Sequence, residues 1–170
     1  MAISEQQKKL ILDWTRKIHT LEYAHRYESL SKDSLNLWLG LPSIIIASLL
    51  GAISSLSLPE CPSFKTFLVF IGCIGACAVA VMAGLQTFLK PSELAEKHRF
   101  CSTIYEDLRH RLELLLLSDN FDSSQLTEKL NQLKAEWDRL HTPNVSASNW
   151  TKAKQQVTSL KTYPESLKVD

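Results

Sequence analysis

Two uncharged runs constrain this chain more than any other feature. No Asp, Glu, Lys, Arg or His occurs from Ser34 to Leu58, and none from Thr66 to Leu89. Each run exceeds the roughly 20 residues that a helix needs to cross the hydrocarbon core of a bilayer. The rest of the chain is densely charged, so average hydropathy conceals the contrast. A pair of buried core helices is the alternative, but a chain of 170 residues has too little material to surround two such helices. The expectation is an all-α membrane protein with two spans, at about 35–58 and 66–89. The first run starts well away from Met1, behind a charged helical segment, and no Ala-x-Ala pattern follows it. That argues against a cleaved signal peptide.

Lys and Arg set the orientation. Arg16, Lys17, Arg26 and Lys32 precede the first span, and Lys90, Lys97, Arg99 and Arg109 follow the second. The connecting "PECPSFK" has only Lys65, balanced by Glu60. The positive-inside rule then puts both termini in the cytoplasm and the short loop outside, at the inner (plasma) membrane. The two spans form a helical hairpin over 34–89, with long cytoplasmic helices before and after it. Trp38 and Phe64 suit interfacial anchors.

The flanking segments read as helices. Over 4–33, Ser4 and Gln7 make a capping box, and Ile11, Trp14, Ile18, Leu21 and His25 form one stripe. Lys90-Pro91-Ser92 interrupts the second span, with Ser92 as the expected new cap. Beyond it Leu94, His98, Cys101, Tyr105, Leu108, Leu112 and Leu115 repeat at alternating steps of four and three, a coiled-coil-like seam. A further helix fits 123–141, capped by Asp122 or Ser123, with Leu126, Leu130, Leu133, Trp137 and Leu140 on its seam. A weaker one fits about 148–160. The C-terminal region thus covers 90–160, and 161–170 is expected to be a disordered tail.

Chemistry-bearing motifs are scarce. There is no Gly-rich phosphate loop after a strand and no HExxH, CxxC or GxSxG, so no enzyme, metal site or cofactor is expected. The net charge of +1, with acids and bases interleaved, gives no support to nucleic-acid binding. Cys73 and Cys77 read as small packing residues, and Cys61, in the loop, could bridge two copies in an oxidising compartment. The sequons at Asn144 and Asn149 face the cytoplasm on this topology and are read as coincidental.

Two sets of residues invite a function. His25 and His98 replace apolar residues on their seams, at similar depth below the membrane, and so could face each other. Either they fill semi-polar core positions, or, with Tyr105, they form a gating or sensing joint, since His titrates near physiological pH. Within the spans, Ser43, Ala47, Gly51 and Ser55, and Gly72, Ala76, Ala80 and Gly84, put small residues at steps of four. In lipid such stripes permit close helix approach. Either the hairpin packs on itself through the two stripes, or one stripe packs the hairpin and the other meets a neighbouring copy. Asn36, Ser43, Ser48 and Ser54 make the first span the more polar and are the pore-lining candidates. Two spans cannot enclose a pore, so a channel requires a homo-oligomeric ring. Pro42 either bends the first span or is a tolerated membrane proline.

The stretch "LDWTRKIHTLEYAHRYESLSKDSLNLWLGLPSIIIASLLGA" resembles the opening of the SLATT family of two-span membrane proteins, through Trp14, Ala24, His25, Tyr27, Pro42, Ile45, Ser48 and Gly51. "LQTFLKPSELAEKHRFCSTIYEDLRHRLELLL", with His98 and Tyr105, resembles its second half. The similarity covers roughly residues 10–140. It implies an oligomeric pore-forming or membrane-disrupting effector of prokaryotic conflict systems, an antiviral defence role. With no sensor or nucleotide-forming domain visible in this chain, it also implies a trigger that is a separate sensor or nucleotide-signalling protein, a diffusible ligand, or a change in its own assembly. The alternative is a non-conducting membrane scaffold that presents cytoplasmic helices to a soluble partner.

Overall fold

The computed structural model describes residues 5–55, 62–117 and 123–160. Within them the protein is all-helical: α1 (Glu5–Ser55), α2 (Pro62–Leu89), α3 (Pro91–Leu117), α4 (Ser123–Asp138) and α5 (Ala147–Ser159). The Ser4 cap, the loop through Cys61, the turn with Asp122 and the tail beyond Leu160 lie outside the described residues.

The expected division between an N-terminal helix and the first span is not a break. α1 is one continuous helix, because the junction "LSKDS" holds neither Gly nor Pro to stop it. Pro42 lies inside α1 without ending it. The break between α2 and α3 has a clear cause. Lys90 N–H donates to the Gln86 carbonyl at 3.0 Å and closes α2, while its own carbonyl accepts from Leu94 N–H at 3.1 Å and opens α3. Pro91 occupies the first helical position, where a missing N–H costs nothing. A residue preceding proline avoids the right-handed helical region, and Lys90 sits at φ 44°, a conformation costing about 1–3 kcal/mol for a residue with a Cβ. The cap is therefore Lys90, two positions before the expected Ser92. Its ammonium reaches Glu93 Oε1 at 2.9 Å.

The chain divides into two compact units, one from Met1–Leu30 with Glu96–Asp170 and the other Ser31–Ala95. In the first, the seams expected from the sequence pack together. Ile11 and Ile18 of α1, Cys101, Tyr105, Leu108, Leu112 and Leu115 of α3, and Leu126 and Leu130 of α4 form its core. Each fully buried Leu or Ile contributes about 1.5–3 kcal/mol relative to exposure. Trp14 meets Trp137 edge-on, with ring centroids 6.3 Å apart. Helix α5 starts at Ser146, whose hydroxyl accepts from Asn149 N–H, and buries Asn149, Ala153 and Val157.

In the second unit α1 and α2 meet along half-buried positions. They include Asn36, Leu39, Ser43, Ile46 and Leu50 on α1, and Leu68, Gly72, Gly75, Val79, Met82 and Gln86 on α2, with Gly40, Pro42 and Ala78 beside them. The steps alternate three and four, as in a left-handed seam with a period of 3.5 residues. Position 36 is paired with 86, and 46 and 50 with 75, which is the pattern of opposed chain directions. A Cβ on Gly75 would lie 3.0 Å from Leu50 Cδ1 and 3.4 Å from Ile46 Cγ2. Gly75 permits this approach there, as Gly40 does near Gln86, whose Nε2 would lie 3.0 Å from a Cβ at that position.

Candidate functional site

Two histidines from separate helices meet in the first unit. His25 is 1% exposed and His98 2%, and their Nδ1 atoms lie 2.9 Å apart. One ring donates and the other accepts, so the contact requires a lone pair on one of the two Nδ1 atoms. The Tyr105 ring stacks on His25 at 5.4 Å and 20°. Its hydroxyl is 3.4 Å from Thr142 Oγ1. Burial, and next the neighbouring His98, lower the His25 pKa to about 4, with Glu28 opposing. Burial pushes the Tyr105 phenol up, the Thr142 hydrogen bond acting the other way. Burial likewise raises the Cys101 thiol, which leaves it a packing group.

Glu28, one turn beyond His25, is 5% exposed. Its Oε2 accepts from Ser146 N–H at 3.2 Å, Ser146 Oγ at 2.8 Å and Asn149 Nδ2 at 2.7 Å. These bonds fasten the start of α5 to α1. One turn before His25, Glu22 receives Arg109 Nε at 2.9 Å, and Glu113 receives the same guanidinium at 2.6 Å. Burial disfavours the Arg109 cation, but its hydrogen bonds to Glu22 and Glu113 outweigh this and raise its pKa. His19 is 8% exposed and lowered to about 4 by burial and then by Arg109, against Glu113. The buried polar strip of α1 therefore consists of a neutral histidine, an ion pair, a histidine couple and an anionic anchor. It can bind protons and hold α3 and α5 in place. Among the described residues, no three His, Cys, Asp or Glu side chains gather as metal ligands would.

No family model, curated protein or solved structure matches the chain. The functional reading therefore rests on its residues.

The structure brings His25, His98 and Tyr105 together and divides the residues singled out in the spans. Asn36 and Ser43, taken as pore-lining candidates, stand on the seam between α1 and α2. Gln86 Nε2 donates to Asn36 Oδ1 at 3.0 Å and to the Asn36 carbonyl at 3.1 Å. Ser43 Oγ bonds the Leu39 carbonyl at 2.7 Å. Ser48 and Ser54 are exposed, with Ser54 Oγ bonded to its own helix at Leu50 O. The small-residue stripes do not form the seam. Ala47, Gly51, Ala76, Ala80 and Gly84 are exposed, and a Cβ on Gly51, Gly72 or Gly84 would meet none of the described residues within 4 Å. Geometry explains this: successive steps of four advance about 40° each around a helix of 3.6 residues per turn. A strict stripe of four thus leaves a contact that alternates three and four. Cys73 and Cys77 are also exposed.

Sequence reasoning missed Glu28, Glu22, Arg109, His19 and Gln86. Glu22 holds Arg109. A signal was present: α3 and α5 each need an α1 face, which widens the buried arc of α1 beyond a single stripe. Polar residues such as Glu22 and Glu28 then fall inside it.

Proposed function

We propose that this protein is a two-span helical hairpin of the inner membrane, with both termini cytoplasmic, that assembles with copies of itself into a pore-forming effector of a prokaryotic defence system. One observation carries the membrane part. Both long helices contain an 18-residue apolar window, and none of either window is buried within the protein. Trp38 is 75% exposed and Phe88 84%, so these side chains find little apolar cover among the described residues, and a bilayer supplies it. The uncovered Ala47, Gly51, Ala76, Ala80 and Gly84 leave close-approach surfaces for neighbouring copies. Ser48 and Ser54 remain as the outward polar residues of the first span. The defence role, and a separate sensor or nucleotide-signalling partner as trigger, rest on the resemblance to SLATT proteins. The His25–His98–Tyr105 cluster is the candidate for gating.

A second reading has its own support. Asn36 and Ser43 satisfy their polar groups inside the chain, which thins the lining available to a pore. This favours a non-conducting scaffold that presents the first unit to a soluble partner. Reconstitution decides between them. Purified protein is incorporated in liposomes, dye and ion flux are recorded, and the copy number is measured by native mass spectrometry. Flux from a closed oligomer supports the effector. A stable oligomer that never conducts, with or without candidate nucleotides, supports the scaffold, and a monomer removes the pore.

A further inference from the structure

Two outward faces of the first unit carry opposite charge. On α1, Tyr23, Arg26, Tyr27 and Leu30 are linked by steps of three and four and so lie on one side of the helix. Arg26 is exposed, Tyr23 and Tyr27 are half-buried, and Leu30 is 57% exposed. The two tyrosine rings tilt against each other with centroids 6.2 Å apart. On α3, Glu96, Phe100, Thr103 and Asp107 follow the same spacing, on the side turned away from its buried seam. All four are exposed, Phe100 at 66%. Asp107 is paired with Arg111 of its own helix at 2.5 Å, whereas the side chains of Arg26 and Glu96 have no ion-pair partner among the described residues.

The two faces also match in height. His25 touches His98, and Ser102 Oγ donates to the Glu22 carbonyl at 3.2 Å. Within this unit the two helices therefore run antiparallel, with residues 25 and 98 level. At about 1.5 Å per residue, Arg26 and Glu96 differ in height by only about 1.5 Å, and Tyr23 and Phe100 are level. A rotation about an axis along these helices leaves every height unchanged. It carries the α3 face of one copy towards the α1 face of the next, with Glu96 opposite Arg26 and Phe100 opposite Tyr23. Because the contact joins two different surfaces, its repetition generates a ring when the rotation closes. A two-fold pairing of either face with itself would instead set like charges together.

We propose that a second copy of this chain docks on the Tyr23–Arg26–Tyr27–Leu30 face through the Glu96 and Phe100 side of its α3. The Arg26–Glu96 pair sets the register between copies, and Phe100 packs on the tyrosine rings, an arrangement that aromatic side chains favour. This deepens the self-assembly proposed above and rests on it. Reversing one charge exchanges an exposed attraction for a repulsion of similar size, which weakens association roughly tenfold.

The test uses the full chain in detergent micelles, diluted stepwise, with the oligomeric fraction read by native mass spectrometry. R26E and E96K are each expected to weaken association roughly tenfold. R26E/E96K is expected to restore it, because the pair re-forms with its signs exchanged. Benzoylphenylalanine in place of Phe100, in a mixture of heavy-isotope-labelled and unlabelled chains, is expected to crosslink between chains to the peptide of residues 18–26. Wild-type association in both single variants, a double variant no tighter than the singles, or crosslinks that miss that peptide or stay within one chain overturns the proposal. A wild-type chain that is monomeric throughout has lost the self-assembly reading as well. An oligomer that crosslinks elsewhere has lost this inference alone.

Discussion

Lowering the pH below neutrality should loosen the first unit. His19 and His25 both have pKa values lowered to about 4 in the folded protein, chiefly by burial. In an unfolded or opened chain each returns to about 6.5. The folded state then binds fewer protons, so stability is full above about pH 6.5, falls as pH drops towards 4, and receives no further loss from these groups below that. Each histidine contributes a slope approaching 1.4 kcal/mol per pH unit within the window. At pH 5 the loss is about 2 kcal/mol for each, and about 4 kcal/mol together. A typical domain has only about 5–15 kcal/mol to lose. The assay is hydrogen exchange over residues 11–29 in nanodiscs, from pH 8 to pH 5, corrected for intrinsic exchange. H25L/H98L replaces both partners of the couple with apolar groups, so neither ring is left facing an unpaired partner ring. It should remove the His25 share and leave a slope near 1.4 kcal/mol per pH unit from His19, which H19Q then removes. Protection that is flat from pH 8 to pH 5 in the wild type refutes the reasoning. So does a slope unaltered in the triple variant.

Other substitutions probe the remaining contacts. E28A removes the acceptor of three hydrogen bonds and should destabilise α5 locally by about 3 kcal/mol, read as faster exchange over 147–159 with α3 unaffected. R109M leaves Glu22, which is 6% exposed, as a buried unpaired carboxylate, and should cost about 3–5 kcal/mol in thermal unfolding, with R109K intermediate. G75V forces a branched side chain against Leu50 and Ile46 and should destabilise the α1–α2 contact by about 1–3 kcal/mol in detergent melts. G51L, where a Cβ meets open space, should leave the monomer's melting unchanged. Loss of the oligomer in that variant, seen by native mass spectrometry, identifies Gly51 as a contact between copies.

The sequence made the first unit more legible than the second, and the reason lies in what each is solvated by. In water, every apolar residue on a charged helix marks its core face. The stripe from Ile11 to His25 and the seam from His98 to Leu115 therefore picked out residues that the structure buries, Trp14 and Leu21 only in part. Even there the stripe was too narrow: α1 is covered from more than one side, so Thr15, Glu22, Glu28 and Ser29 are buried as well. In a segment with no charges, hydrophobicity carries no facial information, and the reading fell back on small residues at steps of four. The seam uses the 3–4 alternation instead, in which only Ser43 and Gly72 of those stripes take part and Gly75 makes the close approach. Gln86 was the better clue. An amide in an apolar helix needs a partner, and Asn36 is the amide in the other run. Pairing these two fixes the register between α1 and α2 and leaves Gly51 and Gly84 off that contact.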